Sequence, residues 1–314
     1  MSYQDLLSAM QSFGLEVSRL ETGGLMRCKA IDDKGAQRSG WYRFFDDIDA
    51  QVCVFGNWRT GERNTWAGGN QHLTATQRQA IQAKIEVARI ERQQEQRQRQ
   101  AANAVKNKRL WNESLPIGTD TPVARYLLGR GLFVPNTASL RYHPSLSYWH
   151  DGKKLGTFPA MLAAVTNPSN ELITVHRTYL TPDGGKPKLP TVKKLCATSG
   201  PMSGSTIKLS APALNDGVEA IGIAEGIETA LAAQMLFGVP VWAGVSAHGL
   251  KAFTPPPTVK SIYIFADNDI SNTGQQAAKE LAERLTLAGR TVRVHTPPSV
   301  GDWADELLKT KGAM

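Results

Sequence analysis

The sequence predicts an α/β protein whose C-terminal third is a parallel sheet flanked by helices. Ahead of that sheet it predicts a small N-terminal α/β domain, a helical linker and a basic α+β lobe. Three observations carry this prediction. Residues 216–314 alternate short apolar runs with helix-periodic segments, the pattern of buried parallel strands joined by crossover helices. Residues 74–109 contain no Gly or Pro and are rich in Gln, Arg and Ala, all compatible with helix. Residues 40–66 and 158–189 are dense in strand-forming residues broken by turn signals.

Taken in order, residues 1–72 form the first expected domain, α/β or mostly β. "YQDLLSAMQSFGL" has apolar residues at helical spacing with Gly14 near its end. "GWYRFFDDIDAQVCVFGNWRTGERNTW" reads as strands with turns at residues 46–49 and 59–62. Trp41, Trp58 and Trp66 lie there among Arg43, Arg59 and Arg63. Aromatic faces beside guanidinium groups suit stacking on unpaired bases with phosphate contacts, so Trp41, Arg43, Trp58, Arg59 and Trp66 are candidate DNA-binding residues. A small aromatic core is an equal reading, and both can hold for different rings.

Residues 73–110 are the expected basic helical linker. Ile81, Ile85 and Ala88 give it a short apolar stripe, but residues 91–100 contain no apolar side chain before the alanines resume. A helix without an apolar face is exposed, bridging or frayed. A solvated spacer and a nucleic-acid-binding helix both fit.

Residues 111–215 begin a new globular lobe. "DTPVARYLLGRGL" reads as a capped helix, with Asp120 or Thr121 as the cap, Pro122 in the first turn and Gly129 and Gly131 at the exit. Two apolar strands follow, joined by a turn at 167–170 and followed by another at 182–185. The second strand ends in His176 and Arg177, and Lys186, Lys188, Lys193, Lys194 and Lys208 come after it. No acid lies between Asp183 and Asp216. Arg177, Lys186, Lys188, Lys193 and Lys208 are therefore candidates to neutralise the phosphates of a nucleotide or template; loop lysines in solvent are the plainer alternative.

Residues 216–314 form the expected catalytic domain. Its strands are "VEAIGIA", "VPVWAG", "VKSIYIFAD" and "RTVRVHTP". Ligands of such sheets bind at the carboxyl ends of strands. Acids stand there repeatedly: Glu225 after the first strand, Asp267 and Asp269 after the third, Asp302 and Asp305 beyond the fourth. Grouped carboxylates repel and lose solvation. A bound divalent cation removes that conflict, and hard oxygen ligands suit Mg2+ or Mn2+. Both Asp267 and Asp269, in a turn leaving the strand, are expected to point at one ion. "AGVSAHGL" is not a nucleophile elbow, and Ser246 and His248 are too close on one short helix to act as a pair.

Composition fits this plan. The chain has 314 residues with 41% hydrophobic content, enough to bury a sizeable core. Residues 1–215 carry a net charge of +11 and residues 216–314 a net charge of −3. A basic front and an acidic rear suggest a polyanion partner for one and a metal for the other. Cys28, Cys53 and Cys196 are far apart with no CxxC spacing, which argues for reduced thiols in a cytoplasmic protein and against structural zinc. No stretch approaches a membrane span and the N-terminus lacks a signal-peptide pattern.

"IAEGIETALAA", "IFADNDISNTGQQAAKEL" and "VGDWADEL" together resemble a TOPRIM domain, the catalytic domain shared by DnaG-type primases, type IA and II topoisomerases and some nucleases. "GWYRFF", "GNWRTGERNTW", "TPVARYLLGRGL" and "VHRTYL…GGKPKL" extend the resemblance to plasmid- and phage-type TOPRIM primases. It implies RNA primer synthesis on single-stranded DNA from metal-bound NTPs. By this resemblance Glu225 stands at the motif glutamate, Asp267 and Asp269 form the DxD, and Asp302 is a further acid near the metals. Glu225, Asp267 and Asp269 are then the catalytic candidates, with Glu225 a ligand or a general base acting through water. Two departures stand out. The chain lacks the cysteines of the zinc-binding domain of bacterial replicative primases, so template recognition is expected to be zinc-free. Thr229 stands where many primases have an Asp, with Glu228 beside it as a substitute. No GxxxxGK[ST] loop occurs, so a separate helicase is the expected partner. Rival readings are a TOPRIM nuclease using the same acids, and a non-catalytic replication protein that binds single strands.

Overall fold

The computed structural model describes residues 3–47, 50–68 and 74–312. It divides into one unit of residues 1–99 with 149–154 and a second of residues 100–148 with 155–314. The turn expected at 46–49 lies partly outside the described residues, as does the expected domain boundary at 72/73.

The first unit opens with α1 (Tyr3–Ser12) and continues as β1 (Leu15–Glu16), β2 (Met26–Ala30), β3 (Gly40–Asp47), β4 (Ala50–Asn57) and β5 (Arg63–Gly68). The five strands form one antiparallel sheet in chain order. Strand alternation divides its side chains cleanly. Tyr42 and Phe44 pack with Leu6 and Met10 of α1. Trp41 and Phe45 pack on the opposite face with Ile81, Ile85 and Ala88, which belong to α2 (Ala75–Asn112).

Beyond that apolar stripe, α2 docks in a way its hydropathy does not announce. Within the first unit, Glu91 pairs with Arg43 at 2.8 Å and Glu95 with Arg27 at 2.6 Å. The Arg92 guanidinium lies 5.3 Å from the Trp41 ring centre. Ion pairs and cation–π contacts thus replace the missing apolar face, and the solvated-spacer reading fails for this segment. In the second unit, buried Asn107 donates through Nδ2 to Ala197 O at 2.9 Å and Ile173 O at 3.3 Å. A polar helix is tied down there by hydrogen bonds.

The second unit continues with α3 (Pro122–Gly129). Thr121 is its cap, accepting from the Ala124 amide at 3.2 Å. A four-stranded sheet follows: β6 (Leu140–His150), β7 (Lys153–Thr166), β8 (Leu172–Tyr179) and β9 (Lys193–Leu195). The sequence reading found β7 and β8 but not β6 or β9. Asp151 and Gly152, both at positive φ, connect β6 to β7; an Asp-Gly pair is a strong hairpin signal.

The last segment alternates as expected: β10 (Ala213–Asn215), β11 (Val218–Ala224), α4 (Ile227–Phe237), β12 (Val241–Ala243), α5 (Ala247–Lys251), β13 (Ser261–Phe265), α6 (Thr273–Leu287), β14 (Thr291–His295) and α7 (Trp303–Gly312). β11 pairs in parallel with β12 and β13, and β13 with β14. Only β10 is antiparallel, folding back on β11 through Asp216 and Gly217. Ile221, Ile223, Ile262 and Ile264 face Leu250 and Leu281 of α5 and α6. Ala220, Ala224, Tyr263 and Phe265 face Leu231 of α4 and Leu307 of α7. That second cluster also takes in Tyr126, Leu127, Met161 and Ala163, so α3 and β7 share one core with the parallel sheet. Among the described residues, no helix is long and apolar enough to cross a membrane.

Candidate active site

Parallel pairing brings the acids to one rim. Ala224 of β11 lies opposite Phe265 of β13, so Glu225 and Asp267 leave the sheet at nearly the same level. Asn268 and Gly301 then exchange backbone hydrogen bonds of 3.0 and 2.9 Å, clamping the loop after β13 to the loop before α7. Gly301 sits at φ +140°, and a Cβ there would lie 2.7 Å from an Asp305 oxygen. The next residue, Asp302, starts α7: its carboxylate accepts from the Asp305 amide at 2.9 Å, and Asp305 accepts from the Asp302 amide at 3.2 Å. This reciprocal cap fixes the loop.

Glu225, Asp267 and Asp302 line a cavity of about 210 Å³, together with Glu228, Thr229, His176, Lys193 and Arg130. Burial pushes the Asp267 carboxyl up to about 7; the charges of Glu225 and Asp302 reinforce this, against a hydrogen bond from Thr229. Its Oδ1 is buried without a hydrogen-bond partner. Glu225 is also raised, first by burial, with the Ala247 amide and Lys193 opposing and Asp269 adding repulsion. Glu228 behaves oppositely. Burial would raise it, but the Lys193 ammonium at 2.8 Å and the Tyr126 hydroxyl at 2.6 Å hold it down to about 2. It is a buried brace, not a stand-in for the acid missing at Thr229.

Asp269 is turned away from the expected ion. Its carboxylate accepts from the Ser271 hydroxyl at 2.6 Å and from the Gly274 and Thr273 amides at 3.1 and 3.3 Å, which lowers its pKa. It holds the start of α6, where the amides of the first turn lack helical partners. Among the described residues, no three His, Cys, Asp or Glu side chains converge as a ready metal cluster. The donor chemistry nevertheless fits a divalent cation. A buried carboxylate oxygen without a donor, crowded by two more carboxylates, is relieved by a cation.

The basic candidates divide. Lys193 lines the cavity, while Lys186 and Lys188 are exposed on the loop between β8 and β9. Lys208 donates to Asn167 O at 3.2 Å and Asn170 Oδ1 at 2.5 Å, and Arg177 to Leu195 O at 2.8 Å. Those two hold local turns and strands. In the first unit Trp41 is buried, so the core reading holds for that ring and stacking on bases is excluded by packing. Trp58 is half-buried under Arg27 at 4.9 Å, and Trp66 is half-buried against the α1 face. Arg43 is paired with Glu91, and exposed Arg59 with Asp32 and Asp33 at 3.7 and 3.9 Å. Ser246 caps α5, accepting from the Gly249 amide at 3.1 Å.

Residues 220–313 match the model of the Toprim domain. The chain carries a Toprim domain. Residues 98–209 match a domain of unknown function, DUF7146. No curated protein matches the chain. Among solved structures it is similar to a DNA primase domain from Pseudomonas aeruginosa, with 16% identity over 59% of this chain and 67% of that one, at a TM-score of 0.40. It is similar to the zinc-binding and RNA polymerase domains of the Aquifex aeolicus primase, with 14% identity, 97% and 80% coverage and a TM-score of 0.43. For the RNA polymerase domain of Mycobacterium tuberculosis primase DnaG the values are 15%, 69% and 81%, and 0.39. Toprim domains generally bind divalent metal, in keeping with the chemistry of the Asp267 rim.

Within this Toprim domain, sequence reasoning offered Glu228 as the substitute acid beside Thr229 and missed its pairing with Lys193 and Tyr126. It also passed over Arg130, just beyond α3, and His176 on β8. The available signal for His176 was a titratable ring alternating with Thr174 and Thr178 inside an otherwise strand-forming run.

Proposed function

We propose that the protein is a DNA primase that joins ribonucleotides into short primers on a single-stranded DNA template. The observation that carries this reading is the stranded Asp267 carboxylate beside Glu225 and Asp302 at the strand-end rim of a Toprim domain. Glu225, Asp267 and Asp302 would hold Mg2+ or Mn2+, while Asp269, engaged at the start of α6, would add its negative charge beside them. A bound ion supplies charge neutralisation for the triphosphate and the attacking oxygen.

The protein's own groups account for the rest. In nucleotidyl transfer the 3′-oxygen forms a bond to the α-phosphorus, the bond to the β-phosphate oxygen breaks, and pyrophosphate leaves. Glu225, with its raised proton affinity, would take the 3′-hydroxyl proton through water. Lys193 and Arg130 supply positive charge at the cavity wall. Lys186 and Lys188 offer exposed charge to triphosphate or template backbone. The motif resemblance favours a role in plasmid, phage or mobile-element replication beside a separate helicase.

The test incubates the protein with single-stranded DNA, labelled NTPs and Mg2+ or Mn2+, next to an Asp267→Ala/Asp269→Ala variant. Short labelled products that vanish in the variant are expected. Shortened DNA without NTP incorporation would replace primase with nuclease. Binding with neither reaction would leave a non-catalytic DNA-binding protein.

A further inference from the structure

His176 is the cavity group that packing does not explain. It projects from β8 with Thr174 and Thr178 on its side of the strand, and only 9% of it is exposed. Its Nδ1 is buried with no hydrogen-bond partner, yet the ring lines the same cavity as Glu225, Asp267 and Asp302. Burial first, and then the Lys193 ammonium, hold the imidazole down to about 4, so the ring is neutral at pH 7. A buried polar atom without a partner weakens a fold. Such a group in a concave site points to a ligand that completes it.

Size and charge narrow the ligand. At about 210 Å³ the cavity is below the roughly 300–1,000 Å³ that encloses a drug-sized molecule. It admits a phosphate chain, not a whole nucleotide. Lys193 is already engaged by Glu228. A second free cation here would be captured by the carboxylates, whereas a neutral donor remains available to a phosphate oxygen.

We propose that His176 is a substrate-contacting residue of this site, its neutral imidazole donating a hydrogen bond from Nδ1 to a non-bridging phosphate oxygen of the incoming nucleoside triphosphate. This rests on the primase reading for the identity of the reaction, but not for the contact itself.

Two variants test it: His176→Leu, of similar volume without polar atoms, and His176→Asn, whose amide nitrogen reproduces the Nδ1 donor. Thermal melting, equilibrium dialysis of labelled NTP with Mn2+, and the kcat and KM of primer synthesis are measured for each. His176→Leu should melt at or above the wild-type temperature, because an unpartnered polar group has been removed. Its NTP dissociation constant and KM should rise about 10- to 100-fold, the usual effect of losing a hydrogen bond to a charged group. His176→Asn should stay close to wild type. A variant that melts early yet binds NTP normally would make His176 a packing residue and overturn the proposal. If the wild type makes primers and His176→Leu matches it in KM, the proposal fails and the primase reading stands. If the wild type binds NTP, loses binding in His176→Leu and makes no primers, the reading fails and the contact stands. A wild type that binds no NTP overturns both.

Discussion

Glu228 and Asp267 lie in one cavity, and their environments push them in opposite directions. Asp267, raised to about 7, is held charged at a cost above its unfolded pKa, so in metal-free protein stability should rise as pH falls from about 7 toward 4. Glu228 is depressed to about 2 from 4.5. Its contribution is fully present above 4.5 and is lost as pH falls through about 2. The span corresponds to a stabilisation on the order of 3 kcal/mol. Thermal melts of wild type and Glu228→Gln in EDTA should therefore differ most near pH 6 and converge near pH 2. Parallel curves across that window would show that the Lys193–Glu228–Tyr126 contact does not stabilise the fold. The same pair explains why the sequence misled at this position. Adjacency to Thr229 says nothing about which way a helix turns the side chain, and α4 turns Glu228 into the brace.

At the scale of elements, the Toprim strands and helices were legible because each is a short apolar run or a periodic segment ending in a Gly or acid. The acids were legible too, since a parallel sheet delivers strand ends to one edge. What each acid does beyond the last paired residue was not. Alternation stops at Phe265, and Asp269 is claimed by the amides opening α6. The docking of α2 was hidden because its partners, Arg27 and Arg43, are remote in sequence, and hydropathy does not register ion pairs. The Asn268–Gly301 clamp was equally invisible, although it brings Asp302 to Asp267. Gly301→Ala tests it. The left-handed backbone disfavours any Cβ, and the added methyl meets the Asp305 carboxylate. A loss of roughly 1–3 kcal/mol is expected, read as a lower melting temperature. Primer synthesis should fall further than stability explains, because Asp302 shifts with the loop. Unchanged melting and activity would show that the clamp does not position the site.

At the scale of the whole molecule, charge decides where a polyanion can bind. Residues 1–215 carry +11 and the Toprim segment carries −3, so template binding should be strongly salt-dependent and set by lysines outside the acidic rim. Not every basic residue can contribute. Lys208 is tied to the 167–170 turn, Arg177 to the β9 backbone, and Arg43 to Glu91. Lys186 and Lys188 remain exposed on their loop. For single strands the slope of log affinity against log salt changes by about 0.7 for each phosphate contact. Lys186→Ala/Lys188→Ala should therefore make the slope shallower by about 1.4, measured by anisotropy of labelled single-stranded DNA across a salt series. Lys208→Ala should leave the slope unchanged, because its ammonium already serves the 167–170 turn. The opposite result would place the template path over Lys208 and away from the β8–β9 loop. The basic front would then act through groups that the fold uses twice.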